Sequence, residues 1–103
     1  MFHDVAALED LGEGETLSVA LPDGERICLI RCGGAIGALA DQCSHQAMPL
    51  SAGEVLPDGT IECAWHGARF DCRTGAVRRG PAEDDVTAYE VRLEGGRVLV
   101  RRP

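Results

Sequence analysis

Two short stretches hold the side chains with the most chemistry in them: Cys43-Ser44-His45 and Cys63-Ala64-Trp65-His66-Gly67. Each offers one thiol and one imidazole, close enough in sequence for both to converge on one centre. Thiolate is a soft, strong donor to zinc and to sulfide-bridged iron, and imidazole is a neutral borderline ligand. Cys43, His45, Cys63 and His66 are therefore the candidate metal ligands. Two Cys and two His complete either a tetrahedral zinc shell or an iron–sulfur centre, and the ligand types alone leave both open. Structural zinc motifs usually pair Cys with Cys and then His with His, whereas each pair here is mixed.

The segments around these stretches read as strands. Thr16 to Leu21 places Leu17, Val19 and Leu21 on one face, the period-2 alternation of a half-buried strand. Pro22-Asp23-Gly24 is turn chemistry, and Glu25 to Arg31 reads as the returning strand. Gly33-Gly34 turns the chain into Ala35 to Ala40, and Thr60 to Glu62 is a further short strand. Near the end Tyr89, Val91 and Leu93 alternate with Glu90 and Arg92, and Glu94-Gly95-Gly96 turns into Arg97 to Arg101. Helix signals are poor: Val5 to Leu11 has room for one short helical turn. The expectation is an all-β fold, an antiparallel β-sandwich or barrel base. The stretch from about 41 to 81, rich in Gly, Pro, Cys and His, forms a loop-built site on that base.

At 103 residues the sequence has room for one domain, taken as 1–103, and its 45% hydrophobic content is that of a globular protein. No apolar run approaches the ~20 residues of a membrane-spanning helix. The opening Met1-Phe2-His3-Asp4 has no basic region ahead of an apolar stretch, so the expected location is the cytoplasm. The formal charge is −7, and all ten basic residues are Arg. That argues against nucleic-acid phosphates as partners. It suits docking on basic protein surfaces, or simply a soluble monomer. Five Cys is an odd number, so a complete disulfide framework leaves a thiol over. In a reducing compartment the alternatives are metal binding, catalysis or plain burial.

The pattern Cys-x-His, seventeen residues, Cys-x-x-His resembles the Rieske family, in which two Cys bind one iron of a [2Fe–2S] cluster and two His the other. The resemblance runs through Met48-Pro49-Leu50 with Gly53, Ala68-Arg69-Phe70-Asp71 with Thr74-Gly75, Pro81-Ala82, and the closing Tyr89 to Val100. Departures are Ala64 where proline is common, Gln46-Ala47 in place of a glycine-bearing step, and no second proline in Glu83-Asp84-Asp85-Val86. None removes a ligand.

The resemblance implies one [2Fe–2S] cluster on Cys43, His45, Cys63 and His66, and a one-electron carrier rather than an enzyme. It further implies transient, charge-assisted docking between a flavin-dependent NAD(P)H reductase and a terminal ring-hydroxylating oxygenase. A small subunit of an assimilatory nitrite reductase is the alternative within the family, and a zinc-stabilised interaction module the alternative outside it. A Rieske oxygenase itself is excluded, because its second iron needs two His and a carboxylate and only His3 is left over.

With neutral histidines, two ferric ions, two sulfides and two thiolates sum to zero, so such a cluster accepts an electron more readily than an all-Cys one. By resemblance the outer nitrogens of His45 and His66 are the route for that electron. Relatives of high potential place a serine after the His-Gly step and a tyrosine further on, where Ala68 and Phe70 stand here. They also carry a disulfide between the loops, at the positions of Met48 and Trp65. A low potential for the family is expected. Trp65 is read as shaping the docking face or shielding sulfide, and Pro81 as packing over the cluster. The acids Glu83, Asp84 and Asp85 are read as a solvated loop. Cys28, Cys32 and Cys72 are read as inert packing thiols.

Overall fold

Alternation of apolar side chains, interrupted every few residues by Gly and Pro turns, gives ten short strands and no α-helix among the described residues. The computed structural model describes residues 1–43, 48–64, 67–80 and 84–103. The strands are β1 (His3–Ala7), β2 (Thr16–Ala20), β3 (Arg26–Cys32), β4 (Ala35–Ala40) and β5 (Glu54–Val55), followed by β6 (Thr60–Glu62), β7 (Arg69–Asp71), β8 (Val77–Arg79), β9 (Glu90–Glu94) and β10 (Arg97–Arg101). They form three antiparallel sheets, ordered β1-β10-β9, β2-β3-β4 and β5-β6-β7-β8.

The β2-β3-β4 sheet is the middle layer, and β3 shows why. Its residues Ile27 to Ile30 are all buried. Because successive side chains leave a strand on opposite faces, Ile27 and Leu29 join one core while Cys28 and Ile30 join another. β4 divides the same way, Ala38 to the first core and Leu39 to the second. The first core lies against β1 and β10 through Ala6, Val98 and Val100 and fills the expected sandwich base. The second lies against β6 and β7 through Ile61 and Phe70 and supports the lobe that carries Cys43 and Cys63.

The one short helical turn that Val5 to Leu11 has room for is the 3₁₀ turn Leu8–Asp10, and Val5, Ala6 and Ala7 before it complete β1, a strand the sequence did not disclose, paired with β10. The edge of β10 offers N–H and C=O partners that a helical turn at residues 5–7 would leave unused, and Ala6 fills the core. No helix among the described residues is long and apolar enough to cross a membrane.

Candidate metal centre

The two candidate loops are built alike. Cys43 follows β4 by three residues, and its backbone N–H donates to the Met48 carbonyl at 2.9 Å. Cys63 directly follows β6, and its N–H donates to the Ala68 carbonyl at 2.7 Å. Each cysteine thus closes a loop on the residue five positions later, which fixes the direction of its Cα–Cβ bond. Gly67, at φ +72°, sits just before the second closure, in a region of backbone space that side chains with a Cβ rarely enter.

Both thiols point into the lobe's core. Cys43 is 2% and Cys63 3% exposed, and they share one cluster with Leu39, Leu50, Ile61, Ala68 and Phe70. Neither is in a disulfide. An ionised thiolate in such apolar surroundings is disfavoured unless a cation neutralises it. Two buried, soft donors heading matched loops fit a metal–sulfur group. His45 and His66 fall in the spans 44–47 and 65–66, outside the described residues, as do Trp65, Pro81 and Glu83 with the roles the sequence suggested for them. Among the described residues, no group of three His, Cys, Asp or Glu side chains is placed to hold a metal.

Several residues that support the first loop were not singled out in the sequence. Asp41 is the hub. Its carboxylate accepts from the Ser18 hydroxyl at 2.6 Å, the Ser51 N–H at 2.7 Å and the Ser51 hydroxyl at 2.8 Å. Thr16 Oγ1 donates to the Ser51 carbonyl at 2.7 Å. The stem of the Cys43 loop is thereby tied to β2 and to the 3₁₀ turn Leu50–Ala52. The available signal was weak: Thr16 and Ser18 lie on the polar face of β2, opposite Leu17 and Val19.

The second loop rests on close backbone packing. A Cβ on Gly53 would come within 2.1 Å of the Glu62 carbonyl oxygen, one residue before Cys63, so only glycine lets β5 approach β6 there. Beside it, Glu62 accepts from Arg69 Nε at 2.9 Å and lies 4.0 Å from Arg79. These are partly exposed pairs and contribute little to stability, but they offset the acid next to Cys63. Asp71 caps the β7–β8 turn. Backbone N–H groups of Thr74 and Arg73 donate to it, and Thr74 leads in holding its carboxyl below the usual range, against the opposing effect of burial. Of the acids read as a solvated loop, Asp85 has a local task, accepting the Val77 N–H at 2.9 Å.

The model of the Rieske [2Fe–2S] domain matches residues 1–90. This chain belongs to the Rieske [2Fe–2S] domain family. It is 38% identical over 96 residues to the ferredoxin component of the p-cumate 2,3-dioxygenase system of Pseudomonas putida, spanning 93% of this chain and 81% of that one. Among solved structures it is similar to the ferredoxin of carbazole 1,9a-dioxygenase from Nocardioides aromaticivorans, with a TM-score of 0.90, 33% identity, and coverage of 100% and 99% of the two chains. It also resembles a chain in the complex of reduced oxygenase and oxidized ferredoxin of carbazole 1,9a-dioxygenase, with a TM-score of 0.87, 29% identity, and coverage of 96% and 91%. The expected [2Fe–2S] cluster therefore holds and the zinc module does not: the protein is an iron–sulfur electron carrier, not a catalyst. When bound, such a cluster takes up and returns a single electron.

Proposed function

We propose that Cys43 and Cys63 bind one iron of the cluster and His45 and His66 the other. On this reading the chain passes single electrons from a flavin-dependent NAD(P)H reductase to a terminal ring-hydroxylating oxygenase. The observation that carries the ligand assignment is the matched pair of loops. Two buried thiols stand at the heads of loops closed by the same hydrogen bond, in one apolar cluster, and each has a histidine two or three residues on. The relatives are ferredoxins of dioxygenase systems, which favours a dioxygenase ferredoxin over a nitrite reductase subunit. The carbazole dioxygenase complex supports direct docking on an oxygenase. The further parts of the reading are a single domain over 1–103 with its cluster-binding portion at about 41–81, a monomer, and a cytoplasmic location.

The test is chemical analysis and spectroscopy of the purified holoprotein. Iron and acid-labile sulfide are expected in equal amounts, two of each per chain, with the rhombic, low-average-g paramagnetic signal of a mixed Cys/His cluster on reduction. Replacing Cys43, His45, Cys63 or His66 by Ala should abolish that signal, and Cys28→Ser should leave it intact. Retention of the native signal in any of the four Ala variants would overturn the ligand assignment. Failure of the reduced protein to deliver electrons to any ring-hydroxylating oxygenase encoded beside it would overturn the partner assignment.

A further inference from the structure

The thiols left over by the cluster converge on one another. Alternation along β3 carries Cys28, Ile30 and Cys32 to the face that looks at the lobe, where Cys72, just past β7, joins them. Two backbone contacts fix Cys72 in place. Its N–H donates to the Gly59 carbonyl at 3.0 Å. Its own carbonyl presses against β4, so that a Cβ on Gly37 would meet that oxygen at 1.8 Å. There the Cys72 and Cys32 side chains are hydrogen-bonded to each other. Burial first, then the neighbouring Cys32, push the Cys72 thiol up to about 12, while Cys32 Sγ also lies 4.0 Å from the Leu56 carbonyl oxygen.

The thiols differ in access. Cys28 and Cys72 are buried, with 0% and 1% exposure. Cys32 is half-buried and lines a pocket of about 350 Å³ with Gly33, Val55, Leu56 and Pro57. Glu13 at its rim is held by the N–H groups of Gly33 and Gly34 at 2.8 Å each. A half-buried cysteine that lines a pocket therefore contacts a fully buried one, the pairing of an attacking and a resolving cysteine. Cys28 is fully enclosed, its Sγ 3.9 Å from the Leu29 carbonyl and its thiol raised first by burial and then by Asp41 and Cys72.

We propose that Cys32 and Cys72 are a dithiol pair that hydrogen peroxide oxidises to a disulfide, joining the middle sheet of the base to the lobe. Cys32, as thiolate, attacks one peroxide oxygen. The S–O bond forms, the O–O bond breaks, and hydroxide leaves to become water, which makes Cys32 a sulfenic acid. The Cys72 sulfur, giving up its proton, then attacks Cys32 Sγ. The S–S bond forms, the S–O bond breaks, and a second water leaves. Two electrons pass from the sulfurs to peroxide, so two thiols and one peroxide yield one disulfide and two waters. Neither cysteine is a proposed cluster ligand, so the inference stands apart from that assignment.

The test treats the holoprotein with hydrogen peroxide, removes the excess with catalase, alkylates all remaining thiols, and maps peptides without reduction after digestion with trypsin and Asp-N, which together put each of Cys32, Cys43 and Cys63 in a separate peptide. Peptide 71–73, which carries Cys72, should appear cross-linked to peptide 32–40, which carries Cys32 alone, with iron content unchanged, and dithiothreitol should release it. In Cys32→Ser, Cys72 should stay alkylatable. In Cys72→Ser, dimedone should trap a sulfenic acid on Cys32. If a variant does not fold, the map of the parent decides. Both thiols fully alkylated after peroxide, Cys72 joined to any other cysteine, or iron lost before the cross-link appears would each overturn the proposal.

Discussion

Replacing Asp41 by Ala should loosen the Cys43 loop before it loosens the fold. Three hydrogen bonds end on that carboxylate, all between 2.6 and 2.8 Å. Hydrogen bonds to a charged group contribute about 1.5–3 kcal/mol each when buried, but this site is only part-buried and water replaces some of what is lost, so about 1 kcal/mol per bond is the better figure. The sum, about 3 kcal/mol, at a urea slope of roughly 1.5 kcal/mol per molar, lowers the local midpoint by about 2 M. Asp41→Asn keeps an oxygen for the Ser51 N–H and presents an amide to hydroxyls that can rotate to accept. It should lose only about 1 kcal/mol. The assay follows urea unfolding of the holoprotein by cluster absorbance and by far-ultraviolet circular dichroism in parallel. In Asp41→Ala the absorbance should bleach well below the dichroism transition, whereas in the parent the two coincide. Coincident curves in the variant, or an unshifted absorbance midpoint, would refute the view that Asp41 acts through the loop.

Three more outcomes are expected. Ala68 is fully buried with its carbonyl engaged by the Cys63 N–H. Ala68→Ser should therefore raise the reduction potential by about 65–130 mV, from a bond of ~1.5–3 kcal/mol at ~59 mV per tenfold. Protein-film voltammetry reads that shift, and a parent potential well above zero would count against the low-potential reading. Gly53→Ala forces β5 away from the Glu62 carbonyl and should destabilise the holoprotein by about 1–3 kcal/mol, read as a fall in urea midpoint. Electron transfer to an oxygenase should slow by about tenfold from low to high salt if the charge of −7 steers docking, and stopped-flow rates that stay flat would refute that steering.

What the sequence disclosed follows from how local each cause is. β4 and β10 run as expected, Ala35–Ala40 and Arg97–Arg101, because a turn and an alternating pattern mark both. β3 reads as a plain apolar run, and its division between two cores emerges only with the sheets in place. β1 was missed because His3-Asp4-Val5-Ala6-Ala7 has one buried residue, and its pairing partner lies at the far end of the chain. Cys43 and Cys63 were legible because each motif is self-contained. The Asp41 hub was not, since it joins positions 10 and 23 apart, and nothing in a string of letters marks which serine will arrive. The Cys32–Cys72 contact was hidden for the same reason. Each looks like a small hydrophobe until two strands from different sheets bring their sulfurs together.

The two-faced strand β3 also limits how portable the redox motif is. Of the residues that enclose the lobe's interior, Cys28, Ile30 and Leu39 come before the loops and Val86 after them. A peptide restricted to 41–81 would leave Leu50, Ile61 and Phe70 facing water where this wall now stands, at about 1.5–3 kcal/mol for each side chain. Grafting the paired loops onto another protein therefore needs a host sheet with one face uncovered and apolar, ready to become the floor of a second interior. A host whose sheet already has helices on both sides would accept the letters of the motif and fail to hold its shape.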